Sequence, residues 1–175
     1  MKSFSRRKSL LRMRKKTSRS KSLLIPALLL SAVLAAAFLC SRYLFQLALV
    51  QGDSMEPTYH HLQLVIVDKR SREYAAGDVI VFRKSGIDGV LIKRVAAGPG
   101  DRVRIAGGLL YVNGEPVPGM EGIKEAGRAE RELLSGDGRF FVIGDNVNHS
   151  IDSRMAEIGD VLSEEILGSV IFPRP

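Results

Sequence analysis

Tryptophan is missing from these 175 residues, cysteine occurs once and histidine three times. The single Cys40 excludes an internal disulfide framework, a four-cysteine zinc site and a redox pair. His60, His61 and His149 have no zinc-motif spacing, so metal catalysis has no support and no cofactor is expected. Acidic residues are lacking from Met1 to Ser22, which holds ten of the 26 Lys and Arg. The remainder carries 16 basic and 19 acidic residues, a net of −3, so the formal charge of +7 belongs to a tail and not to a binding face. With no tryptophan and no basic patch interleaved with aromatics, no nucleic-acid partner is expected. No long segment of helical period follows residue 41, which argues against a helical bundle.

What is present falls into three parts. Residues 1–22 are basic, serine-rich and non-periodic, and are expected to form a cytoplasmic tail. Leu23 to Cys40 is an uncharged run of 18 residues dense in Leu and Ala, long enough for a membrane span. Residues 23–41 are therefore read as a transmembrane helix, with Pro26 tolerated in its first turn. The charge asymmetry puts the N-terminus in the cytoplasm and residues 42–175 outside, on a single-pass plasma-membrane protein. Ala35-Ala36-Ala37 offers a small-x-small cleavage site, so a removed secretory signal is the alternative, and trimming of the anchor there stays open. Leu39 is bulky where a small residue precedes a lipoprotein cysteine, which argues against lipidated Cys40. A buried helix of a soluble protein fits poorly beside ten flanking cations.

After the run, short apolar stretches punctuated by Gly, Pro, Asn and Asp predict strands at Tyr43–Val50, Leu62–Asp68, Asp78–Arg83, Val90–Ala96, Asp101–Ile105, Leu109–Val112, Arg139–Ile143 and Gly168–Phe172. Val112-Asn113-Gly114-Glu115 carries a strong hairpin-turn dipeptide. Gly119–Gly138 is polar and reads as an exposed loop, and Glu157–Leu167 as a helical turn or two. The fold class expected is mostly β, a compact antiparallel sheet or barrel-like domain on one N-terminal helix.

Three islands carry candidate chemistry. Gly52-Asp53-Ser54-Met55-Glu56-Pro57-Thr58 is a proline-braced turn that presents a hydroxyl beside a strand, although an ordinary turn has the same look. Leu91-Ile92-Lys93-Arg94-Val95 places Lys93 on the strand face shared by Leu91 and Val95, with Arg94 on the other. If the first face is inward, burial lowers the lysine pKa toward that of a general base; if it is outward, Arg94 packs inward or pairs. The third island is Gly144-Asp145-Asn146, then Ser150, then Asp152-Ser153-Arg154. On an extended segment Asp152 and Arg154 share a face and can pair. A serine hydroxyl needs a base, no histidine is well placed to be one, and a Ser–Lys pair is a variant of the triad logic.

In this order the three islands resemble bacterial type I signal peptidase, family S26, in its smaller Gram-positive form, from about Leu23 to Phe172. The resemblance implies that Ser54 is the nucleophile and Lys93 the general base, with the Ser54 backbone N–H helping to hold the oxyanion. It implies that Ser150 hydrogen-bonds and orients the Lys93 ammonium, while Asp145, Asp152 and Arg154 hold the third island. It implies that Val50, Gly52, Met55, Leu91 and Ile92 help form shallow pockets for small residues of A-x-A-type signal peptides. The partners implied are exported preproteins and the phospholipid membrane, near the translocation machinery.

Two positions depart from the family pattern. Val147 stands where Arg or Ser is usual, and Gly52 stands where Gram-negative members carry a serine that adds a second oxyanion donor. The short Gly119–Gly138 segment implies that the large second domain of those members is lacking. Rival readings are the self-cleaving SOS-repressor type, which has no membrane anchor, the histidine-based endoplasmic-reticulum form, and a silent β module that only binds exported proteins.

Overall fold

The computed structural model describes residues 24–39 and 41–174; residues 1–23, Cys40 and Pro175 lie outside them. The chain divides into two units, Met1–Tyr43 and Leu44–Pro175. In the first, a helix α1 (Leu24–Tyr43) is long and apolar enough to cross a membrane, and its described Leu, Ile, Val and Phe side chains are exposed.

The second unit is mostly β, with the strands β1 (Phe45–Leu49), β2 (Leu64–Asp68), β3 (Val79–Phe82), β4 (Leu91–Ala97), β5 (Arg102–Ala106), β6 (Leu109–Val112), β7 (Glu115–Glu121), β8 (Leu133–Leu134), β9 (Arg139–Ile143), β10 (Val161–Leu162) and β11 (Ile166–Phe172). They form a seven-stranded sheet, β1-β2-β11-β3-β4-β9-β10, and a four-stranded sheet, β7-β6-β5-β8, with antiparallel pairings throughout. The central strand β3 reads Val-Ile-Val-Phe because both of its faces are covered. Val79 and Val81 enter a core with Val50, Met55, Tyr59 and Val65, whereas Ile80 and Phe82 enter another with Val95, Phe140 and Ile158. The hairpin between β6 and β7 turns at Asn113 (φ 53°) and Gly114 (φ 87°), the left-handed pair that a two-residue turn needs.

One expectation is corrected. Gly119–Gly138 is not an exposed loop: Met120, Ile123 and Ala129 are buried in the core of the smaller sheet, and the segment contains the end of β7, a 3₁₀ turn at Gly127–Glu130 and β8. Three apolar residues spaced among charges are enough to seat it there. Glu157–Leu167 holds β10, one 3₁₀ turn at Ser163–Glu165 and the start of β11.

The register of β4 positions the site. Its first half pairs with β3, Leu91 opposite Phe82 through Arg94 opposite Val79. On the other edge, β9 pairs from Arg94 onward, with Ile143 opposite it. The edge of Leu91–Lys93 away from β3 is thus not covered by β9.

Candidate active site

The first island folds as a loop closed at its base. The Leu62 N–H donates to the Val50 carbonyl (2.8 Å) and the Val50 N–H to the Gln63 carbonyl (2.9 Å). Within it, the Glu56 N–H donates to the Asp53 carbonyl (3.0 Å) and the Tyr59 N–H to the Met55 carbonyl (2.9 Å). Gly52, at φ +84°, takes the left-handed turn that a side chain would strain. Met55 and Tyr59 point inward as core, which leaves Ser54 half-buried at the cleft.

Lys93 lies on the inward face of β4 with Val95, only 3% exposed. Its Nζ donates to Ser54 Oγ at 2.7 Å and to the Ile92 carbonyl at 2.8 Å. Burial pushes the Lys93 pKa down to about 8, against the smaller upward pull of the Asp152 and Asp145 carboxylates. No carboxylate bonds Lys93 among the described residues; both nearby ones bond arginines. Asp145 accepts two bonds from Arg94, Nε at 2.7 Å and Nη2 at 2.6 Å, and this raises the Arg94 pKa. Arg94 also donates to the Gly77 carbonyl (2.7 Å) and, more weakly, to Thr58 Oγ1 (3.4 Å), tying the first island to the third. Asp152, fully buried, accepts from Arg154 Nε (2.8 Å) and Nη2 (2.9 Å) and from the Gly144 N–H (3.1 Å). The Asp152–Arg154 pair forms in a turn, not on an extended segment.

Each residue of the resemblance has a definite place. Ser54 and Lys93 meet directly, and Asp145, Asp152 and Arg154 hold the third island as ion pairs. Ser150 differs from expectation: its Oγ is buried and has no hydrogen-bond partner among the described residues, while the Ile92 carbonyl orients the Lys93 Nζ. Val50, Gly52, Leu91 and Ile92 line a cleft of about 510 Å³ with Ser54 and Lys93. Met55 differs, being fully buried beneath that cleft in the core.

Sequence reasoning gave no role to Arg94 as partner of Asp145, to Asn146, or to Gly144. The Asn146 N–H donates to the Ser54 carbonyl at 3.0 Å. A methyl group on Gly144 would overlap both Ser150 Oγ and the Ser54 carbonyl oxygen, so the close approach of the third island needs glycine there. The Gly-Asp-Asn turn was the available signal for both. No group of three or more His, Cys, Asp or Glu is placed to hold a metal ion among the described residues.

A family model described as signal peptidase, peptidase S26, matches residues 23–174. Signal peptidase I of Bacillus licheniformis is 32% identical over 147 residues, 75% of this chain and 78% of that one. Signal peptidase I of Bacillus amyloliquefaciens is 30% identical over 176 residues, covering 91% and 94%. Signal peptidase I S of Bacillus subtilis (strain 168) is 30% identical over 169 residues, covering 89% and 90%. Among solved structures, a signal peptidase I from Enterococcus faecalis V583 aligns with a TM-score of 0.45 and 23% identity, over 57% of this chain and 97% of that one. By the family model and these relatives, the chain belongs to the signal peptidase family, peptidase S26.

Proposed function

We propose that this protein is a membrane-anchored serine endopeptidase that removes signal peptides from exported preproteins with a Ser54–Lys93 dyad. The observation that carries the proposal is the 2.7 Å contact between Lys93 Nζ and Ser54 Oγ, made by a buried lysine whose pKa is held near 8. Neutral Lys93 takes the Ser54 proton as Oγ attacks the scissile carbonyl. The Ser54 backbone N–H helps to hold the oxyanion. The Lys93 ammonium then protonates the leaving amine, and an ester joins Ser54 to the signal peptide. Lys93 next deprotonates a water, which hydrolyses the ester and frees Ser54.

The substrate lies extended along the Leu91–Lys93 edge of β4, and the cleft walls of Val50, Gly52, Leu91 and Ile92 admit small residues of an A-x-A site. Helix α1 spans the plasma membrane with the tail in the cytoplasm, which confines enzyme and membrane-held signal peptides to one thin layer near the translocation machinery. Ser150 and the two ion pairs support the dyad by holding the third island against it.

The test is cleavage of an A-x-A preprotein by the detergent-solubilised full chain, with the new N-terminus sequenced. Wild type should cut after the −1 alanine, whereas folded Ser54→Ala and Lys93→Ala should not. Robust turnover by either variant removes the dyad.

A further inference from the structure

One imidazole touches the turn that carries Ser54 and a second reaches it through Asn146, and the hydrogen bond at each asks for a different tautomer. On the upstream side, the Gly52 backbone N–H donates to His61 Nδ1 at 3.0 Å. A ring nitrogen that accepts carries no proton, so the His61 tautomer that fits this bond has its hydrogen on Nε2. On the downstream side, Asn146 grips the turn twice: its Nδ2 donates to the Asp53 carbonyl at 3.2 Å and its N–H to the Ser54 carbonyl at 3.0 Å. A carbonyl only accepts, so the amide nitrogen faces Asp53 and Oδ1 faces His149, whose Nδ1 lies 3.1 Å away. Two acceptors do not bond, so His149 carries its hydrogen on Nδ1. The His149 N–H also donates to the Asn146 carbonyl at 2.9 Å.

We propose that His61 and His149 are positioning residues for Ser54, bracing its turn in opposite tautomers, His61 directly at Gly52 and His149 through Asn146. The proposal rests on the reading of Ser54 as nucleophile. Gly52–Thr58 belongs to no strand; Met55 anchors it in the core, and bonds from outside the turn set the lie of the residues around Ser54. Both rings are exposed, and their polar contacts, not core packing, are what they offer. A small displacement of Oγ from its attack line slows the acylation step while leaving the fold intact.

The side-chain amide of asparagine reaches the same distance as His Nδ1 and offers an acceptor or a donor according to which way it is turned. Asparagine therefore restores either bond, whereas phenylalanine keeps the ring and removes the nitrogens. In the full chain, His61→Phe and His149→Phe should each lower kcat about tenfold with KM near wild type, and His61→Asn and His149→Asn should recover most of it. Wild-type kcat in both Phe variants overturns the proposal, as does failure of both Asn variants to recover.

A second arm does not depend on activity. Nitrogen-15 spectra of the micelle-bound chain, in a His60→Asn background and above the imidazole titration range, report the two tautomers. His149 protonated on Nδ1 and His61 on Nε2 are expected; either ring in the other form overturns the bracing geometry. If wild type fails to cleave while the tautomers are as stated, the peptidase reading falls and the bracing stands. If wild type cleaves, Ser54→Ala does not, and the Phe variants match wild type, the reverse holds.

Discussion

Lys93 and Arg94 are adjacent cations on β4, and the pleat of the strand sends them into opposite chemistry. Arg94 is half-buried and meets the Asp145 carboxylate in a two-bond fork, and its pKa rises. Lys93 is more deeply buried and meets a hydroxyl and a backbone carbonyl, and its pKa falls to about 8. The two carboxylates that could neutralise Lys93 are each held by an arginine, Asp145 by Arg94 and Asp152 by Arg154. The difference teaches how a fold keeps a lysine deprotonatable. It buries the ammonium and gives the nearby negative charge to guanidinium groups, which stay protonated and hold carboxylates in a planar fork. The Arg94–Asp145 pair thus joins two islands, and both pairs keep the carboxylates bonded to arginine while they still pull weakly on the base.

The most severe way to break this contrast is to make both positions alike. Lys93→Arg should lower cleavage by about 10⁴-fold or more, because a guanidinium does not deprotonate at working pH. The assay is the preprotein cleavage described above, with near-wild-type thermal unfolding as the check on folding. Next in size is removal of one buried partner. Asp152→Ala leaves Arg154, 5% exposed, as an uncompensated charge and should cost about 3–5 kcal/mol in denaturant unfolding of the full chain. An unfolding midpoint equal to wild type would show that the pair is not structural.

A finer test keeps the shape and removes only charge. Asp152 pulls the Lys93 pKa upward, so Asp152→Asn should move the rising limb of kcat/KM to lower pH, while any loss of amplitude reports on positioning. A limb moved to higher pH would contradict the electrostatics. The smallest effect is expected at Arg102–Glu132, an ion pair of 2.8 Å between side chains 61% and 53% exposed. Arg102→Ala should change unfolding free energy by no more than about 0.5 kcal/mol and leave the limb in place.

Much of this was legible in the order of residues. Eight strands announced themselves as β-branched and aromatic runs between turn residues. Strand β7 did not, since Pro116, Pro118 and Gly119 imitate a loop; a strand at a sheet edge tolerates prolines that a central strand excludes. The pleat put Lys93 on one face with Leu91 and Val95 but left open whether that face turned inward, and only the order of the three islands pointed to Ser54 as its partner. Asp152 and Arg154 were readable as a pair from their spacing, although a turn rather than a strand brings them together. Arg94 and Asp145 were not, because 51 residues separate them and the join depends on the register of β4 against β9. The Ser150 bond to Lys93 was expected from resemblance, yet the hydroxyl packs beside Gly144 while the Ile92 carbonyl takes the ammonium.

The central claim is that Lys93 acts as a neutral amine at ordinary pH, and kcat/KM of the solubilised full chain on an A-x-A preprotein tests it most directly. Protonated Lys93 is inactive and the neutral form active, so between pH 6 and 10 the value should rise through about 8 and then level. A profile flat across that range, or one that falls through pH 8, would contradict a lysine base.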